Sequence, residues 1–159
     1  SHIGHNCSTE DNVVLANGVL LAGYVSVGDS AFISGNVVVH QFCRIGRLSM
    51  IGGFSGVNKD VPPYVSVRGP SVVWSINLVG LRRAKFKRDV INGIKEAYNT
   101  VYRSNLNTDQ AIEKIIGTNP SPEVMHFVDF IKNSKRGICK YKFETEDMQY
   151  FDVAEDVKK

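Results

Sequence analysis

From Ile3 onward every sixth residue is aliphatic: Ile3, Leu15, Leu21, Val27, Ile33, Val39, Ile45, Ile51 and Val57, with Thr9 the exception. Neither a helix of period 3.6 nor a strand of period two produces this spacing. The residue after each is mostly small (Gly4, Ala16, Ala22, Gly28, Ser34, Gly46, Gly52). The fourth after each is small or β-branched, as at Cys7, Val13, Val25, Cys43 and Val61. A hexad of this kind predicts a β-solenoid. Each hexad supplies a short strand and a corner, and three hexads close one triangular coil. Each aliphatic residue then stacks on its equivalent eighteen residues later. Ile3 belongs under Leu21, Val39 and Val57, and Leu15 under Ile33 and Ile51. The stack buries a continuous core that no single coil could bury alone, and the small residues are expected to let the backbone turn sharply.

The pattern is expected to stop at Asp60-Val61-Pro62-Pro63, because two prolines remove two ladder donors. After Pro70 the period lengthens. Val90, Ile91, Ile94, Ala97, Tyr98, Val101 and Tyr102 fall at steps of three and four, an amphipathic helix. Asn107 with Gln110 reads as a capping box opening a second helix through Ile112, Ile115 and Ile116, stopped by Gly117. Ser121-Pro122-Glu123 starts a third, with Val124, Phe127, Val128 and Ile131 as its buried face and Gly137 as its end. A short helix is expected near Ser75–Arg83. The fold class is mainly β. Residues 1–66 form coils, 67–140 a carboxy-terminal helical domain, and 141–159 a polar tail without assignment.

At 159 residues and 43% hydrophobic, the chain is one globular domain with an appendage. No apolar run reaches the length of a transmembrane helix. The amino terminus lacks the basic-then-apolar pattern of a secretory signal. A chain that opens at Ser1 inside its repeat reads as a piece of something longer. Cys7, Cys43 and Cys139 are odd in number and far apart, so reduced thiols in a reducing compartment are expected, not a disulfide framework or a zinc site.

Polar residues that interrupt the hexads mark the candidate chemistry. His2 and His5 share one corner, and His40 with Gln41 fills a slot that elsewhere prefers a small residue. His2 and His5 have ligand spacing, but no cysteine pair or carboxylate accompanies them, so no metal is expected. General-base chemistry suits a histidine better. His126, beside Phe127, is read as structural. Arg82, Arg83, Lys85, Lys87 and Arg88 form an electropositive patch for a phosphate-bearing ligand or an acidic protein. Phe86 is its only aromatic residue, which disfavours nucleic acid.

Several strings are more specific than the hexads. They are His2-Ile3-Gly4-His5-Asn6-Cys7, Leu21-Ala22-Gly23-Tyr24-Val25-Ser26-Val27, Val39-His40-Gln41-Phe42-Cys43-Arg44-Ile45-Gly46, Asp60-Val61-Pro62-Pro63-Tyr64-Val65 and Asn77-Leu78-Val79-Gly80-Leu81-Arg82-Arg83. Their order and spacing resemble the acyl-carrier-protein:UDP-N-acetylglucosamine O-acyltransferases, which catalyse the first step of lipid A synthesis. The resemblance runs from Ser1 to about Lys140 and leaves out the family's amino-terminal coils. It implies a left-handed parallel β-helix, a cytoplasmic homotrimer without a cofactor, and two substrates, 3-hydroxyacyl carrier protein and UDP-N-acetylglucosamine. By the same resemblance His5 matches the general base and the Gly23 N–H the oxyanion donor. His2, Tyr24, His40 and Gln41 match substrate contacts, and Asn77 and Arg83 nucleotide or phosphate-arm contacts. Met50 and Gly53 fall where the acyl tail lies. Tyr24 stands where the family often has His, Val79 where it often has Glu and Ala84 where it often has Arg. The carboxylate that orients the base belongs to the part not matched. The related N-acyltransferase of the same pathway and a non-catalytic trimerising or carrier-binding solenoid are the alternative readings.

Overall fold

The computed structural model describes residues 1–141. Ten two-residue strands recur every six residues: β1 His2–Ile3, β2 Ser8–Thr9, β3 Val14–Leu15, β4 Leu20–Leu21, β5 Ser26–Val27, β6 Phe32–Ile33, β7 Val38–Val39, β8 Arg44–Ile45, β9 Met50–Ile51 and β10 Gly56–Val57. Every third strand pairs in parallel, giving a prism with faces β1-β4-β7-β10, β2-β5-β8 and β3-β6-β9. The register is the one expected: Ile3, Leu21, Val39 and Val57 form one column and Leu15, Ile33 and Ile51 another. Leu21, Val39, Ile33 and Ile51 are fully buried, whereas Ile3, with no described coil beyond it, is 51% exposed. Each buried aliphatic side chain stabilises the prism by about 1.5–3 kcal/mol.

The corners turn differently from expectation. The left-handed residue is not the small one after the aliphatic position but the one two further on. Asn6, Asn12, Gly18, Tyr24, Ser30, Asn36, Phe42, Leu48 and Phe54 all have φ between 52° and 74°. The N–H of the turn residue donates to a carbonyl one coil back, Tyr24 to His5 at 3.0 Å and Phe42 to Gly23 at 3.1 Å. A side chain in this conformation costs about 1–2 kcal/mol, least for Asn and nothing for Gly. The small residues answer a different demand, close stacking of coils. A Cβ on Gly4 would lie 2.8 Å from the Leu21 carbonyl oxygen, and one on Gly46 only 2.3 Å from the Pro63 nitrogen.

The double proline does not end the solenoid. Val61 bridges Ile45, and a further strand, β11 Val65–Arg68, pairs in parallel with β9. Val67 lies beside Ile51, sixteen residues back where earlier strands pair eighteen back, so this coil is two residues short. Pro62 and Pro63 sit between Val61 and β11, where no ladder bond is made through them. An antiparallel strand β12 Val72–Ile76 folds back on β11 and covers the edge of that face. The helix expected near Ser75 accordingly begins later, as α1 Leu78–Arg83.

Three further helices follow: α2 Arg88–Tyr102, α3 Thr108–Ile116 and α4 Pro122–Lys132. The Asn107–Gln110 capping box forms, and the Ser121 hydroxyl caps α4. α4 ends at the Asn133 cap rather than at Gly137, whose φ of +76° lies in the turn beyond. That turn leads to β13 Lys140–Tyr141, beside β12. Buried Asp60 ties this segment to the solenoid. Its carboxylate accepts from the Arg44 N–H at 2.9 Å and the Ser134 hydroxyl at 2.7 Å, and its carbonyl accepts from the Cys139 N–H. Tyr64 is fully buried near Phe86 and His126, and burial pushes its phenol up to about 12. The tail lies outside the described residues apart from Tyr141. Among the described residues no helix is long and apolar enough to cross a membrane.

Candidate active site

The register collects five of the sequence-derived positions on one corner of the prism and places His2 on the adjoining strand face rather than in the corner itself. The turn after β1 carries His5 and Asn6, the turn after β4 Gly23 and Tyr24, and the turn after β7 His40, Gln41 and Phe42. His2 projects from β1 beside Leu20. His2, His5, Gly23, Leu20 and Val38 line a shallow groove of about 460 Å³ on this flank.

His5 lies directly over Gly23. A Cβ on Gly23 would fall 2.7 Å from His5 Nε2 and 2.8 Å from Cε1, so only glycine leaves room for the imidazole as it stands. On the other side of the ring, Nδ1 is 3.1 Å from the Asn6 side-chain oxygen. The tautomer that donates this hydrogen bond from Nδ1 leaves the Nε2 lone pair free to take a proton. The Gly23 N–H has no intramolecular partner among the described residues, while its neighbours Ala22 and Tyr24 donate to Val39 and His5. His40 Nδ1 lies 3.1 Å from the Gln41 carbonyl oxygen.

The sequence does not announce the aromatic stack built on this corner. The Tyr24 ring meets His5 edge-to-face with centroids 5.1 Å apart. Its other neighbour, Phe42, is stacked at 5.1 Å and 20°. The signal was present as two aromatic residues eighteen apart in the same hexad slot.

The other predicted positions lie elsewhere on the chain. Met50, Asn77 and Arg83 line a groove of about 740 Å³ between the β3-β6-β9 face and α1, with Val14, Phe32 and Val79. Asn77 already uses both ends of its amide, which accepts from the Gly80 N–H at 3.0 Å and donates to the Leu48 carbonyl at 2.8 Å. Gly53 stands on the corner between that face and the histidine-bearing one, where a Cβ would be 3.3 Å from the Gly35 carbonyl oxygen. These two sets of predicted residues thus occupy separate grooves of the one chain. His126 lies on α4 against the β2-β5-β8 face, in a cleft with Glu10, Arg44 and Arg47. Partial burial and then Arg47 lower its pKa. Among the described residues no three metal-ligating side chains converge.

Residues 60–139 match the family model described as UDP-N-acetylglucosamine O-acyltransferase, domain 2. The chain belongs to this O-acyltransferase family. Acyl-[acyl-carrier-protein]–UDP-N-acetylglucosamine O-acyltransferases from Gloeothece citriformis and Halorhodospira halophila are 44% and 47% identical over 84% and 87% of this chain. Those matches cover 49% and 55% of the two relatives, so the chain spans about half the length of the curated O-acyltransferases it matches. The crystal structure of the UDP-N-acetylglucosamine acyltransferase from Bacteroides fragilis is 41% identical and superposes with a TM-score of 0.81. It covers 84% of this chain, which covers 53% of it. The Acinetobacter baumannii relative, at 39% identity, gives 0.81 over 86% of this chain and 54% of its own. The solenoid is the left-handed parallel β-helix of these O-acyltransferase structures, with the helical part carboxy-terminal to it.

Proposed function

We propose that the protein containing these 159 residues transfers a 3-hydroxyacyl chain from acyl carrier protein to the 3-hydroxyl of UDP-N-acetylglucosamine, the step that opens lipid A synthesis. The observation that carries this reading is the seating of His5 over Gly23, which puts a basic nitrogen beside an unspent backbone N–H. His5 Nε2 takes the proton of the sugar hydroxyl as that oxygen attacks the thioester carbonyl. A hydroxyl un-ionised at neutral pH needs such a base in the transition state. The Gly23 N–H donates to the carbonyl oxygen as it gains negative charge. The carbon–sulfur bond then breaks, the new ester remains on the sugar, and the carrier's thiolate takes the proton back from His5. No metal or cofactor enters these steps.

His2, Tyr24, His40 and Gln41 are the proposed sugar and phosphate contacts. Asn77 and Arg83 serve the nucleotide or phosphate arm, and Met50 and Gly53 the acyl tail. Since these groups occupy two grooves of one subunit, a homotrimer that sets the histidine flank of one copy against the α1 groove of the next unites them. Leu20 and Val38 on the first flank and Val14 and Phe32 on the second leave apolar columns exposed for such packing. The reading places the protein in the cytoplasm, where acyl carrier protein would meet the exposed cluster of Arg82, Arg83, Lys85, Lys87 and Arg88. The test is to incubate the full-length protein with radiolabelled 3-hydroxyacyl carrier protein and UDP-N-acetylglucosamine. Label moving to the nucleotide sugar as an alkali-labile ester supports the reading, and folded protein that moves none refutes it.

A further inference from the structure

We infer that Tyr24 and Phe42 form an aromatic buttress that fixes the imidazole plane of His5, so that both act as positioning residues for the base; the inference rests on the general-base reading of His5. The first support is position. Tyr24 and Phe42 occupy left-handed turn slots, with φ of 60° and 65°. The equivalent slots on other corners hold Asn12, Gly18, Ser30 and Asn36, residue types at ease in that conformation, and Phe54, which is 84% exposed and, unlike Tyr24 and Phe42, makes no ring contact among the described residues. Leu48 is bulky but buried, so core packing accounts for it. Tyr24 and Phe42 are 49% and 52% exposed, so core packing does not account for them.

The second support is geometry. Asn6, Tyr24 and Phe42 share one slot on three successive coils, so their side chains leave the corner one above another. Tyr24 stacks on Phe42 and presents its ring perpendicular to that of His5. The His5 ring is therefore bounded by the bare Gly23 backbone, by the Asn6 amide at Nδ1 and by the Tyr24 ring. Without Tyr24, the exposed imidazole is held by one hydrogen bond and can rotate. Phe42 makes no ring contact with His5, and its part is to hold Tyr24.

The experiment measures kcat and KM for both substrates in full-length Phe42→Leu, Phe42→Tyr, Tyr24→Leu and His5→Ala. Leucine is acceptable in this backbone slot, since Leu48 occupies one with φ of 52°. Tyr24→Leu is expected to lower kcat about tenfold or more, because loss of near-attack geometry costs up to about a hundredfold. Phe42→Leu lowers it several-fold, and Phe42→Tyr, which keeps the stack, restores it. Because Tyr24 is also a proposed substrate contact, KM for the nucleotide sugar rises in Tyr24→Leu but by less than kcat falls. KM stays within about twofold in Phe42→Leu, and Tyr24→Leu lowers kcat no further in the His5→Ala background. Parental kcat in both leucine variants overturns the proposal, as does a loss confined to KM, which would make the two rings substrate contacts only. His5→Ala retaining parental turnover overturns the base assignment, and the positioning role with it.

Discussion

Replacing Gly23 by alanine separates the seating of His5 from the other work of its corner. The new methyl carbon would start 2.7 Å from Nε2 and 2.8 Å from Cε1 of His5. Ordinary contact between such atoms begins near about 3.5 Å, so the ring must retreat by roughly 0.8 Å. His5 is exposed, so it can swing outward, and no buried group is unpacked. The cost in stability should therefore stay below about 1 kcal/mol. The cost in catalysis is larger, since misplacing a catalytic group by an ångström can cost about a hundredfold. Alanine keeps the backbone N–H, so the proposed oxyanion donor survives the change. The assay is steady-state transfer at saturating substrates with the full-length protein, alongside its thermal midpoint. We expect kcat to fall by about ten- to a hundredfold with an almost unchanged midpoint. We also expect no further fall when Gly23→Ala is added to His5→Ala. Parental kcat would refute the steric reasoning. An equal loss in the His5→Ala background would mean that the methyl group obstructs substrate rather than the base.

Ile33→Ala truncates a fully buried member of the column between Leu15 and Ile51. It should cost about 2–5 kcal/mol in urea unfolding, and a loss under 1 kcal/mol would put Ile33 outside the core. His126 has a folded-state pKa lowered by partial burial and by Arg47, against the opposing carboxylates of Glu10 and Asp129. Its neutral form is thus favoured in the folded state, and its contribution is present above about pH 6.5 and lost as pH falls through the lowered value. His126→Gln should flatten the decline of stability below pH 6.5, and an unchanged slope would remove His126 from the account. Replacing Lys85, Lys87 and Arg88 together by alanine should raise KM for acyl carrier protein at low ionic strength and weaken its salt dependence. An unchanged KM would assign these charges to solvent.

The prism was legible because stacked coils repeat one demand. An inward aliphatic residue returns every sixth position, and its column follows from arithmetic. The corners were harder to read. The tolerance of Gly4 and Gly46 for close backbone approach looks in sequence like a turn signal, whereas the left-handed turn itself accepts Asn, Ser, Leu, Tyr and Phe and leaves no compositional mark. The short coil was missed for a related reason. Two prolines argue against a ladder, but the register has already shortened to sixteen residues at Val61, before them, and the ladder resumes after them at β11 in that same register. The caps of α3 and α4 were readable because a single side chain satisfies the helix end locally. Gly137 misled because a left-handed glycine marks any sharp turn, not only the end of a helix. At the site, resemblance singled out His5 and Gly23, but their contact depends on stacking across an eighteen-residue interval. So does the pairing of Tyr24 with Phe42. The separation of Met50, Asn77 and Arg83 into a second groove follows from which face each strand joins, which hexad counting can assign, and from where α1 docks, which it cannot.

The central claim is that His5 is the general base. Its most direct test is kcat of full-length His5→Ala with saturating 3-hydroxyacyl carrier protein and UDP-N-acetylglucosamine. His5 stands exposed at a corner, so its loss leaves no cavity, and the thermal midpoint should hardly move. A positioned base contributes about a hundred- to ten-thousandfold, so kcat should fall by at least a hundredfold while KM changes little. A folded variant that keeps more than about a tenth of the parental kcat, far short of a general-base effect, would contradict the assignment and make His2 the next candidate.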